Sequence, residues 1–315
     1  MEERKVVCIS AVLILFIAGM IPGFVFAQNA DLSGRIYSDY TYNFTNSQNS
    51  FDIKRVYLGY EGRLAPSIDF VVISDMEVAD YAEISRLFMK YAYANWHSKC
   101  GDVLIGMIPT NPFEVQKRTW GLRYLYKTVM NEYRFSSSAD IGIRYDRAIS
   151  EDLSLSAMVS NGTGYKSAED DIYKRLHLRL LYGPDNLGST EGMNVGIYGS
   201  WEPDNVPMYD HIFTAAAFAG VHRNNVWAGV EGAVRDIGPM DVTITLLSAY
   251  VRHGFTDEIQ GFLRVDRIDW ENSDDELTLI AGAQYVKYKG FSVAPNIIYR
   301  DYAEENWEEI GRAHV

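Results

Sequence analysis

The chain has 315 residues and a formal net charge of −13, with 22 tyrosines and 2 cysteines. That balance argues against a nucleic-acid partner, whose phosphates call for clustered Lys and Arg. With Cys8 in a leader segment, Cys100 stands alone, and a disulfide framework is excluded.

The N-terminus reads as an export signal. Arg4 and Lys5 precede an apolar run from Val6 to Ile21, and Val25-Phe26-Ala27 fits the small-residue cleavage rule. Cleavage is expected after Ala27, making residues 1–27 a signal peptide. No other segment resembles a transmembrane helix.

From there the chain alternates apolar and polar residues in runs of about ten, the pattern of half-buried strands. Leu32, Ile36, Tyr40, Tyr42 and Phe44 share one face of the first run, opposite Arg35, Asp39 and Thr41. In the second, Val56, Leu58, Tyr60 and Leu64 oppose Arg55, Tyr57, Glu61 and Arg63. Phe70, Val72 and Met76 oppose Asp69 and Asp75 in the third, and the fourth puts Leu87, Met89, Tyr91 and Tyr93 on an apolar face. A fifth run, Asp102–Ile108, leads into Pro109–Ser138, which does not alternate. This stretch is basic (Lys117, Arg118, Arg123, Lys127 and Arg134 against Glu114 and Glu132) and aromatic. So long a connection is functional or disordered, and its aromatic residues argue against disorder.

Alternation resumes at Asp140–Ile149, Leu153–Asn161 and Ile172–Tyr182, where Leu176, Leu178 and Leu180 oppose Arg175, His177 and Arg179. Met193–Trp201 and Val226–Arg235 follow the rule. Ile212–His222 and Val242–His253 do not assign cleanly to faces. Glu258–Trp270, Leu277–Lys287 and Phe291–Arg300 complete about fifteen strands, antiparallel by their short connections. Glu309 to Val315 reads as the translation of a common DNA-sequencing adapter, so residues 309–315 are expected to be a sequencing artefact.

The expected fold is therefore all-β, a transmembrane antiparallel β-barrel over residues 28–308, with about fifteen strands of sixteen present. A signal without disulfides, tyrosines closing the apolar faces (Tyr40, Tyr60, Tyr93, Tyr145, Tyr182) and the lack of a core helix favour the membrane over a soluble β domain. The opposite faces carry charges of both signs, which a water-filled lumen tolerates and a dry core does not. With the mature N-terminus inside, the long segment becomes the third external loop. It is expected to fold into the lumen over residues 109–139. As the chain stands, a seam is expected between the first and last strands, which would run parallel.

Several segments, in order, resemble the phosphate-selective porin O and P family. They are Asp52-Ile53-Lys54-Arg55 running to Arg63-Leu64, Gly106-Met107-Ile108-Pro109 running to Pro112-Phe113-Glu114, Ser138-Ala139-Asp140-Ile141-Gly142, and Val159-Ser160-Asn161-Gly162. Two departures are the extra residues before Pro112-Phe113 and Ala139 where the family carries Arg. The resemblance implies a sixteen-stranded barrel, usually a homotrimer, that passes anions through a basic constriction. Ala139 puts phosphate selectivity itself in question.

A pore selects where it is narrow, because low-dielectric walls focus the field there. The constriction is expected from Lys117, Arg118, Arg123 and Lys127, and the lining from Arg55, Arg63, Arg144, Arg175 and Arg179. The competing reading pairs these cations with Asp69, Asp75, Asp146 and Glu231, leaving a general pore for small hydrophilic solutes. A further one has the loop outside, on lipopolysaccharide phosphates. Lipid and lipopolysaccharide are the expected surroundings. No cofactor is implied, and His97 with Cys100 in one turn is too little for a metal site. A barrel hydrolase would need a nucleophile with a base in reach, and no Ser sits in a Gly-x-Ser-x-Gly elbow. A plugged structural barrel is the remaining alternative.

Overall fold

A computed structural model describes residues 28–45, 47–77, 86–169, 171–203, 211–238, 242–271, 275–288 and 290–301. The expected signal peptide and the segment 309–315 lie outside the described residues.

The strands form one antiparallel meander: β1 (Gln28–Tyr42), β2 (Asn49–Ala65), β3 (Ile68–Glu77), β4 (Arg86–Ser98), β5 (Gly101–Pro109), β6 (Ala139–Ala148), β7 (Leu153–Ser160), β8 (Arg175–Tyr182), β9 (Gly192–Pro203), β10 (His211–Arg223), β11 (Val226–Ile237), β12 (Val242–Gly254), β13 (Ile259–Trp270), β14 (Glu276–Tyr288), β15 (Phe291–Val293) and β16 (Asn296–Asp301). Both β15 and β16 pair with β14, through Tyr285↔Val293 and Gly282↔Asn296. They are two halves of one crossing, interrupted at Ala294-Pro295, where proline has no N–H to give the ladder. That leaves fifteen crossings. The last runs in the same direction as β1, and among the described residues no ladder joins the two, as the strand count predicts.

Connections alternate in length between the two ends. The turns after β2, β4 and β10 are tight; Asn224 and Asn225 adopt left-handed φ values of 49° and 60°, as a two-residue hairpin turn requires. Residues 110–138 and 161–174 lie at the other end. The first of these carries two short helices, α1 (Glu114–Trp120) and α2 (Val129–Glu132), where the sequence shows only a non-alternating stretch. Gly121 ends α1 in the left-handed conformation, and its N–H closes on the Lys117 carbonyl.

Alternation fixes the faces. In β9, Met193, Val195 and Ile197 point outward and exposed, while Asn194, Tyr198 and Ser200 point inward and are buried. In β12 the neighbours Leu246 and Leu247 are 0% and 57% exposed. Leu246 is apolar and inward because part of the inner wall is dry. Phe113, Val129, Met130 and Phe135 from the loop pack there on Tyr198, Ala216, Ala233, Ile244, Leu246, Ile268 and Trp270. This is why β10 and β12 resist face assignment by sequence: both their faces are apolar, one toward the outside and one toward the loop.

β4 departs from expectation. Leu87, Met89, Tyr91 and Tyr93 do not share a face. The ladder runs Ile73↔Tyr91 and then Ser74↔Met89, so Lys90 is an extra residue in a β-bulge. The bulge inverts the parity: Leu87 and Met89 are exposed outside, whereas Tyr91 lines the interior and Tyr93 packs on the inner cluster of Leu104, Ile108 and Met158. Tyr93 is thus an interior residue and not part of an outer aromatic girdle.

Gly106 and Gly142 face each other across β5 and β6. Gly106 has φ +125°, and a Cβ there would lie 2.3 Å from the Ala92 carbonyl; one on Gly142 would lie 2.2 Å from that of Val159. Gly106→Ala is expected to destabilise the barrel by about 1–3 kcal/mol, seen as an earlier midpoint in urea titrations of liposome-folded protein. An unchanged midpoint would refute the close-approach argument.

Candidate functional site

The loop between β5 and β6 lies inside the sheet. Its side chains meet both edges of the sheet: Tyr37 of β1 contacts Tyr124, with ring centroids 6.0 Å apart, while Arg300 of β16 donates to the Tyr126 hydroxyl at 3.0 Å. The sheet wraps around the loop.

Two kinds of contact hold it. The first is the apolar seat on β9–β13. Burying each of Phe113, Val129, Met130 and Phe135 stabilises the loop by roughly 1.5–3 kcal/mol. The second is a row of wall arginines that donate to loop carbonyls, which a short-helix loop leaves without intrahelical partners. Arg144 bonds the Pro109 oxygen at 2.7 Å, Arg179 that of Asn111 at 3.1 Å, and Arg252 that of Thr119 at 3.0 Å. Arg264 reaches Lys127 and Arg235 reaches Arg134, each at 2.7 Å. Arg264 is wholly buried between the rings of Trp120 and Tyr126, at 5.1 and 5.0 Å, and pairs with buried Asp266 at 2.7 Å. Gln116 adds a bond to Glu231 at 3.2 Å. The turn at residues 183–191 closes in from the other end: Asp185 meets Arg118 at 2.5 Å, and Trp227 donates to the Leu187 carbonyl at 2.9 Å.

With that half of the interior filled, open space remains beside β1–β4. A cavity of about 370 Å³ is lined on the wall by Arg35, Tyr37, Tyr57, Lys90 and Tyr91, and on the loop by Glu114, Lys117, Arg118, Arg123 and Tyr124. Five basic side chains thus line the cavity with one carboxylate. Lys117 and Arg118 both contact Glu114. Burial pushes the Glu114 carboxyl up, but Lys117, then Arg118 and Arg144, outweigh it and hold it at about 2. Among the described residues, Arg35, Lys90 and Arg123 have no carboxylate in ion-pair reach. Lys90 rests on the Ser138 hydroxyl at 2.8 Å and over the Tyr165 ring at 4.3 Å.

Of the residues singled out by sequence, the structure brings Lys117, Arg118 and Arg123 together at this cavity. Lys127 lies apart, paired with Glu132 at 3.3 Å. Arg55 is held by Asp75 at 3.1 Å and Glu77 at 2.9 Å, Arg63 by Asp69 at 3.0 Å, and Arg175 by Glu202. Arg144 pairs with Asp146 at 2.9 Å and, like Arg179, serves as a loop anchor. Arg35 and Lys90 are at the cavity but were not singled out. Arg35 was legible as a polar-face residue of β1. Lys90 was legible as a polar-face residue of β4; it is Tyr91 that the bulge obscured, since strict alternation makes it an outward residue.

The structure also bears on a hydrolase and on a metal site at His97. Ser160 Oγ lies 3.1 Å from His177 Nε2, and His177 Nδ1 lies 2.8 Å from the Tyr198 hydroxyl. All three are buried on the inner wall, where a substrate has no approach from lipid. His97 sits between Asp69 at 2.8 Å and Asp102 at 3.1 Å, but among the described residues no group of three or more His, Cys, Asp and Glu side chains is placed to hold a metal ion.

A meander barrel with an inward loop narrowing its lumen defines the class of outer-membrane diffusion channels, the porins. The profile of the family described as phosphate-selective porin O and P matches residues 31–210, more than half of the chain, and the chain belongs to that family. Solved structures agree on the fold. The chain is similar to OmpF of Salmonella typhi in complex with daunomycin (13% identity, 88% of this chain and 91% of that one, TM-score 0.65). It is also similar to the anion-selective porin of Comamonas acidovorans (12%, 86% and 89%, TM-score 0.64) and to the trimer form of OmpT of Vibrio cholerae (11%, 88% and 89%, TM-score 0.64). No curated protein matches significantly.

Asp266→Ala would strand the Arg264 guanidinium in a buried site, at a cost of about 3–5 kcal/mol. The variant should show a lower unfolding midpoint together with noisier single-channel currents; steady currents at wild-type conductance would show that the loop does not need this anchor. Glu114→Gln should shift the reversal potential toward anions, and by the same amount at pH 7 and pH 4. A carboxylate held at about 2 contributes stability that is present above its unfolded pKa and is lost only as pH falls toward 2. A shift that vanishes at pH 4 would contradict that placement.

Proposed function

We propose that this outer-membrane channel favours small anions, phosphate among them. The observation that carries the reading is the excess of basic residues at the cavity: among the described residues Arg35 and Arg123 line it without a carboxylate in ion-pair reach, Lys90 lies beside them, and Glu114 is the one carboxylate in the lining. In a narrow passage walled by low-dielectric material, such an unbalanced charge raises the local anion concentration. The family's cation at the position of Ala139 is missing, but the Lys90 ammonium rests on Ser138, one residue away. We further propose that the protein is exported through the signal at residues 1–27, sits in lipid and lipopolysaccharide by its outward apolar belt, and assembles as a homotrimer. The trimer form of the similar OmpT supports the last point.

A second reading, a general pore with little charge preference, draws on the pairing of Lys117 with Glu114 and of Arg118 with Asp185. The two differ in a simple measurement. In planar bilayers under a KCl gradient, the wild-type protein should give a reversal potential on the chloride side. The double variant Arg35→Glu, Arg123→Glu should move it toward potassium. A wild-type reversal potential at zero would favour the general pore.

A further inference from the structure

At the cavity, cations come in company. Arg35 and Tyr37 are neighbours on the inner face of β1, Arg123 and Tyr124 are adjacent in the loop, and the β4 bulge turns Lys90 and Tyr91 inward together. The Tyr57, Tyr37 and Tyr124 rings form a continuous run from β2 across β1 to the loop, with centroids 5.7 and 6.0 Å apart. All these tyrosines are half-buried, so each presents part of its ring to the open space. A passage for hydrated inorganic ions gains nothing from ring faces. A flat ring carrying an anionic group does, because tyrosine faces and edges attract other π-systems while the adjacent cation takes the charge.

The geometry points to organic anions that carry an aromatic ring, such as aromatic carboxylates, as the solutes this constriction binds in transit. This rests on the anion-favouring reading above and narrows it. Binding is by the repeated cation-and-tyrosine unit: the carboxylate is placed by Arg35 or Arg123, and the ring lies on Tyr37 or Tyr124. The β4 bulge supplies a third such unit, Lys90 with Tyr91.

The test is a block titration of the chloride current through the wild-type channel in planar bilayers, with benzoate, cyclohexanecarboxylate, acetate and inorganic phosphate as probes. Benzoate should reduce the current at concentrations roughly 2- to 10-fold lower than acetate and cyclohexanecarboxylate, the span expected from one stacked ring. It should also outperform phosphate. The Tyr37→Leu, Tyr124→Leu channel should lose most of this advantage while keeping its chloride preference. If benzoate is no more potent than acetate in a channel that still favours chloride, the proposal falls and the anion reading stands. If the wild-type channel shows no chloride preference, both fall. The wild-type series decides the question without the variant, should that variant fail to insert.

Discussion

The channel depends on how its long loop is seated. A segment of twenty-nine residues, 110–138, crosses the interior of a barrel and needs both a dry surface for its apolar side chains and donors for its carbonyls. The wall meets both needs in one place. Phe113, Val129, Met130 and Phe135 settle on the inner face of β9–β13, and arginines from β6, β8, β11, β12 and β13 reach the loop's backbone oxygens. Because the seat is on one side, the loop leans that way, and the open part of the interior lies against β1–β4. The position of the passage follows from hydrophobic packing before any charge is considered.

Charge is then divided by task. Arginines that hold the loop are spent on carbonyls or on buried carboxylates such as Asp266, and they are shielded from the passage. Those near the cavity differ among themselves. Lys117 and Arg118 are paired with carboxylates, while among the described residues Arg123 of the loop and Arg35 of β1 have none in ion-pair reach, and Lys90 of the bulge is buried against Ser138 and Tyr165. A count of basic residues in the loop therefore says little about selectivity. What matters is which of them lack a neighbour of opposite sign.

Much of the architecture was legible because a two-residue period has one dominant cause, a face toward lipid or solvent and a face toward the lumen. The strand order and the fifteen crossings follow from it. The failures are equally physical. β10 and β12 carry apolar residues on both faces, such as Leu246 and Leu247, because one lumen face is covered by the loop; a reading based on alternation has no signal for a seat made by a distant segment. In β4 one extra residue, Lys90, inverts the parity, and nothing local announces it. That Arg144 and Arg179 anchor the loop was also hidden, since anchoring and lining arginines have the same identity and the same strand parity. Their distinction lies in where the loop's carbonyls come to rest.

The ion pair between Arg118 and Asp185 joins the external loop to a turn from the opposite rim of the barrel. Permeation properties are commonly pictured as a portable attribute of the constricting segment. Here a graft of residues 110–138 into a foreign barrel would bring the guanidinium of Arg118 with Glu114 but without Asp185, and the greasy side of the loop without a bed to lie on. The transplanted gate would come out both more positive and less firmly held than the original, so the two rims and the waist have to be exchanged as one unit.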